Sequence, residues 1–260
     1  MTLSEGATYR RYVALGDSQT EGVGDGDDQH GLIGWADRLA TRVAASSPDV
    51  LYANLAVRGK LAGQVRAEQL DAALALKPDL ATVAAGLNDM IRPGFDAARV
   101  AGHLEDMFAA LTAAGARVAT FTFPDVARMS PLFRPLAPRV LELNALIRAA
   151  AARHGVAVAD FYPHAAATDP RIWAVDRIHA NPEGHARIAG AMAEALGLPG
   201  SDRSWSQPLP PRPWSWAHRV RAEAVWLAVF VGPWLLRRLR GRSSGDGRTA
   251  KRPTLTPVTT

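Results

Sequence analysis

Across the first 200 residues, short apolar runs of strand type alternate with segments of helical periodicity, and this alternation restricts the fold more than any other feature of the chain. The runs fall near 11–15, 50–56, 80–85, 117–123 and 156–160 and are rich in Val, Ala, Leu, Thr or aromatic residues. Helical patterns lie near 35–46, 63–76, 97–114, 136–153 and 183–196. Two parallel strands need a long crossover between them, which a helix supplies. Strict βα order therefore predicts a mostly parallel sheet with helices on both faces. With right-handed crossovers and about five strands, the expected architecture is a three-layer α/β/α sandwich of flavodoxin-like order. An apolar fraction of 48% is enough to fill its core.

In such a sheet the working residues sit in loops at the carboxyl ends of the strands, where backbone amides and helix N-termini point at one spot. The first of these loops begins Gly16-Asp17-Ser18 and is punctuated by Gly22 and Gly24. Ser18 is therefore the candidate nucleophile. A serine nucleophile needs a base to take its proton, a group that orients the base, and donors for the oxyanion. Asp176 and His179 stand just before the last helical pattern, which Asn181 can cap and Pro182 can open. Two further strand ends offer donors. Gly59 lets a backbone amide approach a ligand closely, and Asn88 carries a side-chain NH₂.

These four blocks, Gly-Asp-Ser-Gln at Ser18, Asn-Leu-Ala-Val-Arg-Gly ending at Gly59, Gly-Leu-Asn-Asp at Asn88 and Asp-Arg-Ile-His ending at His179, resemble those of the SGNH hydrolases, also called GDSL-type esterases. All four occur in the family's order, with Gln19 standing where the motif name has leucine. The resemblance implies a serine hydrolase of acyl esters. Ser18, His179 and Asp176 would form the triad, and the amides of Ser18 and Gly59 with the Asn88 side chain would form the oxyanion hole. It implies no metal and no organic cofactor. Lysophospholipase, acyl-thioesterase and carbohydrate deacetylase activities are variants of the same reading.

Other residues receive plainer readings. His185 is expected to pack at the helix start and Asp17 to shape its turn. The run Asp25, Asp27, Asp28, Gln29 and His30 lacks the spacing of a calcium loop and is expected to be solvated and mobile. Arg58 and Asp89 flank the oxyanion residues, where substrate contact and structural pairing are both open. Trp173, Phe133 and Met129 are candidates for an acyl pocket or for ordinary packing. Gly16, Gly22 and Gly24 do not have dinucleotide-binding spacing, and the complete set of catalytic residue types argues against a non-catalytic scaffold.

The domain is expected to end at residue 200, where the composition changes. Residues 201–260 carry 11 Lys and Arg against 3 acids, a balance of +8, whereas residues 1–200 carry 19 against 22, a balance of −3. The hydrolase domain is thus not built to bind nucleic acid. Residues 201–240 hold a Pro- and Trp-rich segment and then an apolar stretch, Ala222 to Leu236, flanked by Arg219, Arg221, Arg237, Arg238 and Arg240. Fifteen residues fall short of the ~20 that span a bilayer. Docking on the domain, peripheral membrane contact through residues 214–240, and a cover over the site are the competing expectations. Residues 241–260 are expected to be a disordered basic tail. With no cysteine, disulfides and thiol chemistry are excluded. Met1 to Gly6 show neither a basic n-region nor an apolar h-region, so a cytoplasmic location is expected.

Overall fold

A computed structural model describes residues 8–211, 221, 223–232 and 245–258. Five parallel strands, β1 (Arg11–Gly16), β2 (Leu51–Asn54), β3 (Leu80–Ala84), β4 (Arg117–Phe121) and β5 (Ala157–Ala159), lie in the order β5-β4-β3-β1-β2. This is the flavodoxin-like order. Helices α1 (Trp35–Ser46) and α5 (Pro182–Leu196) pack together on one face, and α2 (Ala62–Ala75), α3 (Ala97–Ala113) and α4 (Ala137–His154) on the other. Each helix lies within a residue or two of the span its periodicity predicts.

The central strand β1 is buried from Tyr12 to Gly16, as expected for a strand covered on both sides. Tyr12 stacks on Tyr52 with ring centroids 5.0 Å apart, and its hydroxyl meets Thr82 Oγ1 at 3.0 Å. On the α1/α5 face, Trp35 stands edge-on to Phe121, which in turn meets Phe123 and Phe161. Beyond β1 the chain turns at Gly16, whose N–H and C=O are both paired by the buried amide of Gln69 on α2, at 2.9 Å each. A polar residue on the buried face of α2 thus closes the end of the central strand.

The expectation of a disordered tail does not hold for residues 245–258. Residues Arg252–Pro257 form a sixth strand, β6, antiparallel to β2 at the edge of the sheet. The cause is local. Thr254, Leu255 and Thr256 have strand preferences, and Pro253 and Pro257 are tolerated because one side of an edge strand needs no ladder donors. Arg252 lies over the Tyr52 ring, 5.0 Å from its centroid, and Lys251 pairs with Asp37 at 2.6 Å. The basic residues that suggested disorder are the ones that fasten the strand.

Residues 201–211 run along the domain surface. There Trp205 packs against Gly190 of α5 and against Phe161, at 5.2 Å between rings, and its indole donates to Glu194. Trp214, Trp216, Arg219, Arg237, Arg238 and Arg240 lie outside the described residues. Among the described residues, no helix is long and apolar enough to cross a membrane.

Candidate active site

Asp17 caps the one-turn helix Ser18–Glu21, its carboxylate accepting the Gln19 N–H at 3.1 Å, and Gly22 ends that turn in the left-handed region. The turn fixes Ser18 at the carboxyl end of β1, nine-tenths buried. Across from it, Asn181 accepts the Gly184 N–H at 3.0 Å and Pro182 opens α5. The loop before that cap carries His179. Its Nε2 lies 2.7 Å from Ser18 Oγ and its Nδ1 lies 2.5 Å from Asp176 Oδ2. The other oxygen of Asp176 accepts the N–H groups of Ile178 and His179 at 3.0 and 2.9 Å. Burial opposes ionisation of Asp176, but the hydrogen bond and charge of His179 outweigh it and hold the carboxyl below its usual range. Asp176 is therefore a carboxylate wherever the site would work.

The oxyanion candidates converge on the same end of the sheet. Gly59 adopts φ +78°, a conformation that glycine alone takes readily, in the loop after β2. Asn88 points its NH₂ at Lys60 O (3.0 Å) and at Asp17 Oδ2 (3.3 Å), the neighbours of Gly59 and Ser18. Asp17 is pushed up to about 7 by burial, against the lowering effects of the Gln19 N–H and His179. The two acids beside the serine thus have opposite environments, one holding its carboxyl ionised and one opposing ionisation by burial.

The flanking residues resolve into structural pairs. Arg58 is clamped by the buried Glu21 at 2.7 Å and by Asp28 at 2.8 Å, and Asp89 Oδ2 accepts the N–H of Ala62 at the start of α2. Among the described residues no cluster of His and carboxylates is arranged to hold a metal ion. The acidic run at 25–30 is more ordered than expected. Asp25 is buried against Arg38 at 2.7 Å, Asp28 also binds Arg248, and residues 26–27 and 31–32 pair as a small ribbon. Sequence reasoning missed Glu21, Gln69 and Asn54, the last of which donates to Thr20 O at 2.8 Å and accepts the Ala56 N–H. The available signal was a polar side chain at a position whose periodicity is apolar, as at Val65, Gln69 and Ala73 on α2.

His185 is fully buried between two backbone groups, accepting from Trp35 N at 3.1 Å through Nδ1 and donating to Val23 O at 3.2 Å through Nε2. This use of both nitrogens requires the neutral ring. Burial depresses its pKa to about 4. Because an unfolded histidine titrates near 6.5, stability is expected to be complete above that pH and to fall by about 3 kcal/mol as pH drops from 6.5 to 4. Urea unfolding of the wild type and His185→Gln at pH 7 and pH 4.5 checks this. The variant should lose most of that pH dependence.

Beside the serine and histidine lies an apolar cavity of about 90 Å³. Roughly 10–15 Å³ of such space admits one water, so the cavity would take several methylene groups. Its walls include Phe123, Phe161, Met129, Phe133, Trp173 and Trp205. Trp173, Phe133 and Met129, which the sequence offered as pocket candidates, therefore all line it. Gln19, Leu87, Ile178 and Ala180, the immediate neighbours of Ser18, Asn88 and His179, line it as well.

An α/β/α sandwich that gathers a serine, an imidazole and a carboxylate at its strand ends beside an apolar cavity defines an acylhydrolase-type protein. The chain belongs to the GDSL-like Lipase/Acylhydrolase family, which it matches over residues 14–187, and is a carboxylic ester hydrolase. No curated protein matches it. Among solved structures it is similar to LAE5, an α/β hydrolase enzyme from the metagenome of Lake Arreo, Spain, at 23% identity and a TM-score of 0.61, covering 73% of this chain and 95% of that one. TesA is similar at 23% identity and a TM-score of 0.60, covering 72% and 98%. An acetyl xylan esterase from Geobacillus stearothermophilus is similar at 17% identity and a TM-score of 0.59, covering 73% and 95%. At these identities the likeness is one of fold.

Proposed function

We propose that the chain cleaves esters with an apolar acyl group through Ser18, His179 and Asp176 and a covalent acyl-enzyme. The observation that carries this reading is the pair of contacts at 2.7 and 2.5 Å that joins the three side chains in series. As Ser18 Oγ attacks the acyl carbonyl, His179 Nε2 takes its proton, and Asp176 holds the ring and stabilises its cation. His179 then returns the proton to the leaving alcohol. Water attacks the acyl-enzyme with His179 again as base. The amides of Ser18 and Gly59 and the NH₂ of Asn88 meet the oxyanion, each worth ~2.7–4 kcal/mol of transition-state stabilisation. The scheme requires no metal or organic cofactor.

The cavity supports an acyl chain longer than acetyl. An acetyl group, as in the acetyl xylan esterase, would leave most of it unfilled, and empty apolar space forfeits binding energy. A lysophospholipid or acyl thioester fits this reading better than an acetylated sugar. Peripheral membrane contact is supported by a second observation. Of the seven exposed large hydrophobics among the described residues, Val225, Leu227 and Val229 lie in 223–232, while Leu132 and Val175 flank the loops that this segment touches. With the +8 balance of residues 201–260, an anionic bilayer is the surface that matches them. Action in the cytoplasm or at its membrane face accords with this.

The test is hydrolysis of p-nitrophenyl esters from acetyl to palmitoyl, free and in anionic vesicles, by wild type and Ser18→Ala, with fluorophosphonate labelling of both. The expected result is labelling that vanishes in Ser18→Ala, rates that rise beyond acetyl, and a further gain on vesicles. A maximum at acetyl would favour the deacetylase, and an unlabelled wild type would sink the serine mechanism.

A further inference from the structure

The family match ends at residue 187, yet the chain beyond it returns to the candidate site. In the helical segment at 223–232, Glu223 and Trp226, three residues apart, both meet the domain. Trp226 is buried, and its indole N–H donates to the backbone carbonyl of Asp176 at 2.9 Å. Its ring stands edge-on to Phe133, 5.5 Å between centroids, and packs against the Arg177 guanidinium at 4.9 Å. Glu223 accepts from Arg177 Nη1 at 2.5 Å and from Ser130 Oγ at 3.3 Å. One short segment thus grips both the loop that carries Asp176 and His179 and the loop that carries the cavity residue Phe133.

The gripped turn needs holding. Arg177, between the two candidate triad members, has φ +58°, a left-handed conformation disfavoured for any residue with a Cβ. Through that turn one oxygen of Asp176 reaches the N–H groups of Ile178 and His179 while the other reaches His179 Nδ1. Such conformations persist where the surroundings over-determine them. Here the Arg177 N–H is fixed by Ala174 O at 2.9 Å, and the Asp176 carbonyl and the Arg177 side chain by Trp226 and Glu223. Tryptophan suits the place because the indole N–H only donates, and the atom it faces only accepts.

We infer that Trp226 and Glu223 are positioning residues: the C-terminal segment holds the Asp176–His179 turn in register with Ser18, so that the catalytic unit of this chain includes an element outside the family's matched region. This role rests on the serine-esterase reading above. A held geometry matters because misplacement of a catalytic group by about 1 Å costs about 10²-fold in rate.

The experiment compares wild type, Trp226→Phe and Glu223→Gln on p-nitrophenyl acetate, whose acyl group is too short to report on the cavity. A parallel proton NMR experiment follows the low-field resonance of the His179 Nδ1–H shared with Asp176. Trp226→Phe keeps an aromatic ring near Phe133 and Arg177 while removing the donor and part of the ring surface, and Glu223→Gln leaves Trp226 in place should the first variant fold poorly. Expected are a fall in kcat of about 10- to 100-fold in Trp226→Phe with KM within about twofold, a smaller fall in Glu223→Gln, and broadening or loss of the low-field resonance. Wild-type kcat in both variants, or a change confined to KM, would overturn the inference by reducing the segment to a wall of the cavity. An unchanged resonance would do the same. Because the resonance needs no turnover, it decides the positioning role even if no ester is cleaved, whereas failure of the esterase reading appears separately as an unlabelled wild type.

Discussion

Asp176→Asn is expected to lower kcat by about 10⁴-fold on any p-nitrophenyl ester that the wild type cleaves, with the fold unchanged by circular dichroism. The size of the effect follows from which atom of the new amide must point where. In the wild type, Asp176 Oδ1 accepts two backbone N–H groups, from Ile178 and His179, and Oδ2 accepts from His179 Nδ1. Asparagine has one carbonyl oxygen, and two fixed donors claim it. Its NH₂ must then face Nδ1, which becomes an acceptor, so the ring proton moves to Nε2. The nitrogen 2.7 Å from Ser18 Oγ would thus carry a proton where the reaction needs a lone pair. The imidazolium formed in the transition state would also lose its counter-charge. A loss below about tenfold would mean that Asp176 does not set the tautomer, and the triad assignment would fail at that member.

Much of this site is legible in the sequence because its signals are local. The five parallel strands announce themselves as apolar runs, and Ser18, Gly59 and Asn88 each stand just past one, while His179 stands just before the last helix. Asn181 and Pro182 mark the start of α5 within a few residues of His179. What escapes is decided by partners far away in the chain. β6 pairs with β2 across some 200 positions, and its six residues sit in a stretch whose Arg, Gly and Ser content reads as disorder. Trp226 belongs to a run that is apolar all round, so no stripe says which side faces the domain. Its anchor, the Asp176 carbonyl, is a backbone atom with no sequence signature. Arg58 is a further case. Beside the oxyanion candidate Gly59 it reads equally as substrate contact and as structure, and only its two carboxylate partners, Glu21 and Asp28, decide for structure.

Gly24→Ala is expected to cost about 3–5 kcal/mol of stability and, in the fraction that folds, to slow catalysis by about 10²-fold. Two effects add. Gly24 holds φ +103°, outside the range that a Cβ tolerates. A Cβ there would also stand 2.1 Å from the backbone oxygen of Ala180 and 3.4 Å from the Cβ of His179. The loop that follows Ser18 and the loop that carries His179 cross at this glycine, and the atom in the way is backbone, which cannot swing aside. The opposite side of the crossing is pinned as well, since Ala180 N–H donates to Gln19 Oε1 at 3.1 Å. Relief must therefore come from moving the His179 loop away from Ser18, which lengthens the 2.7 Å contact on which the proposed proton transfer depends. Gly31 separates the two causes. It has a similar φ of +96° but open space around it, so Gly31→Ala pays for the backbone alone. Thermal melting should place Gly24→Ala about 10 °C below wild type and Gly31→Ala a few degrees below, with kcat reduced only in the former. Equal losses in the two variants, with kcat intact in both, would show that the crossing of the loops does not fix the distance between Ser18 and His179.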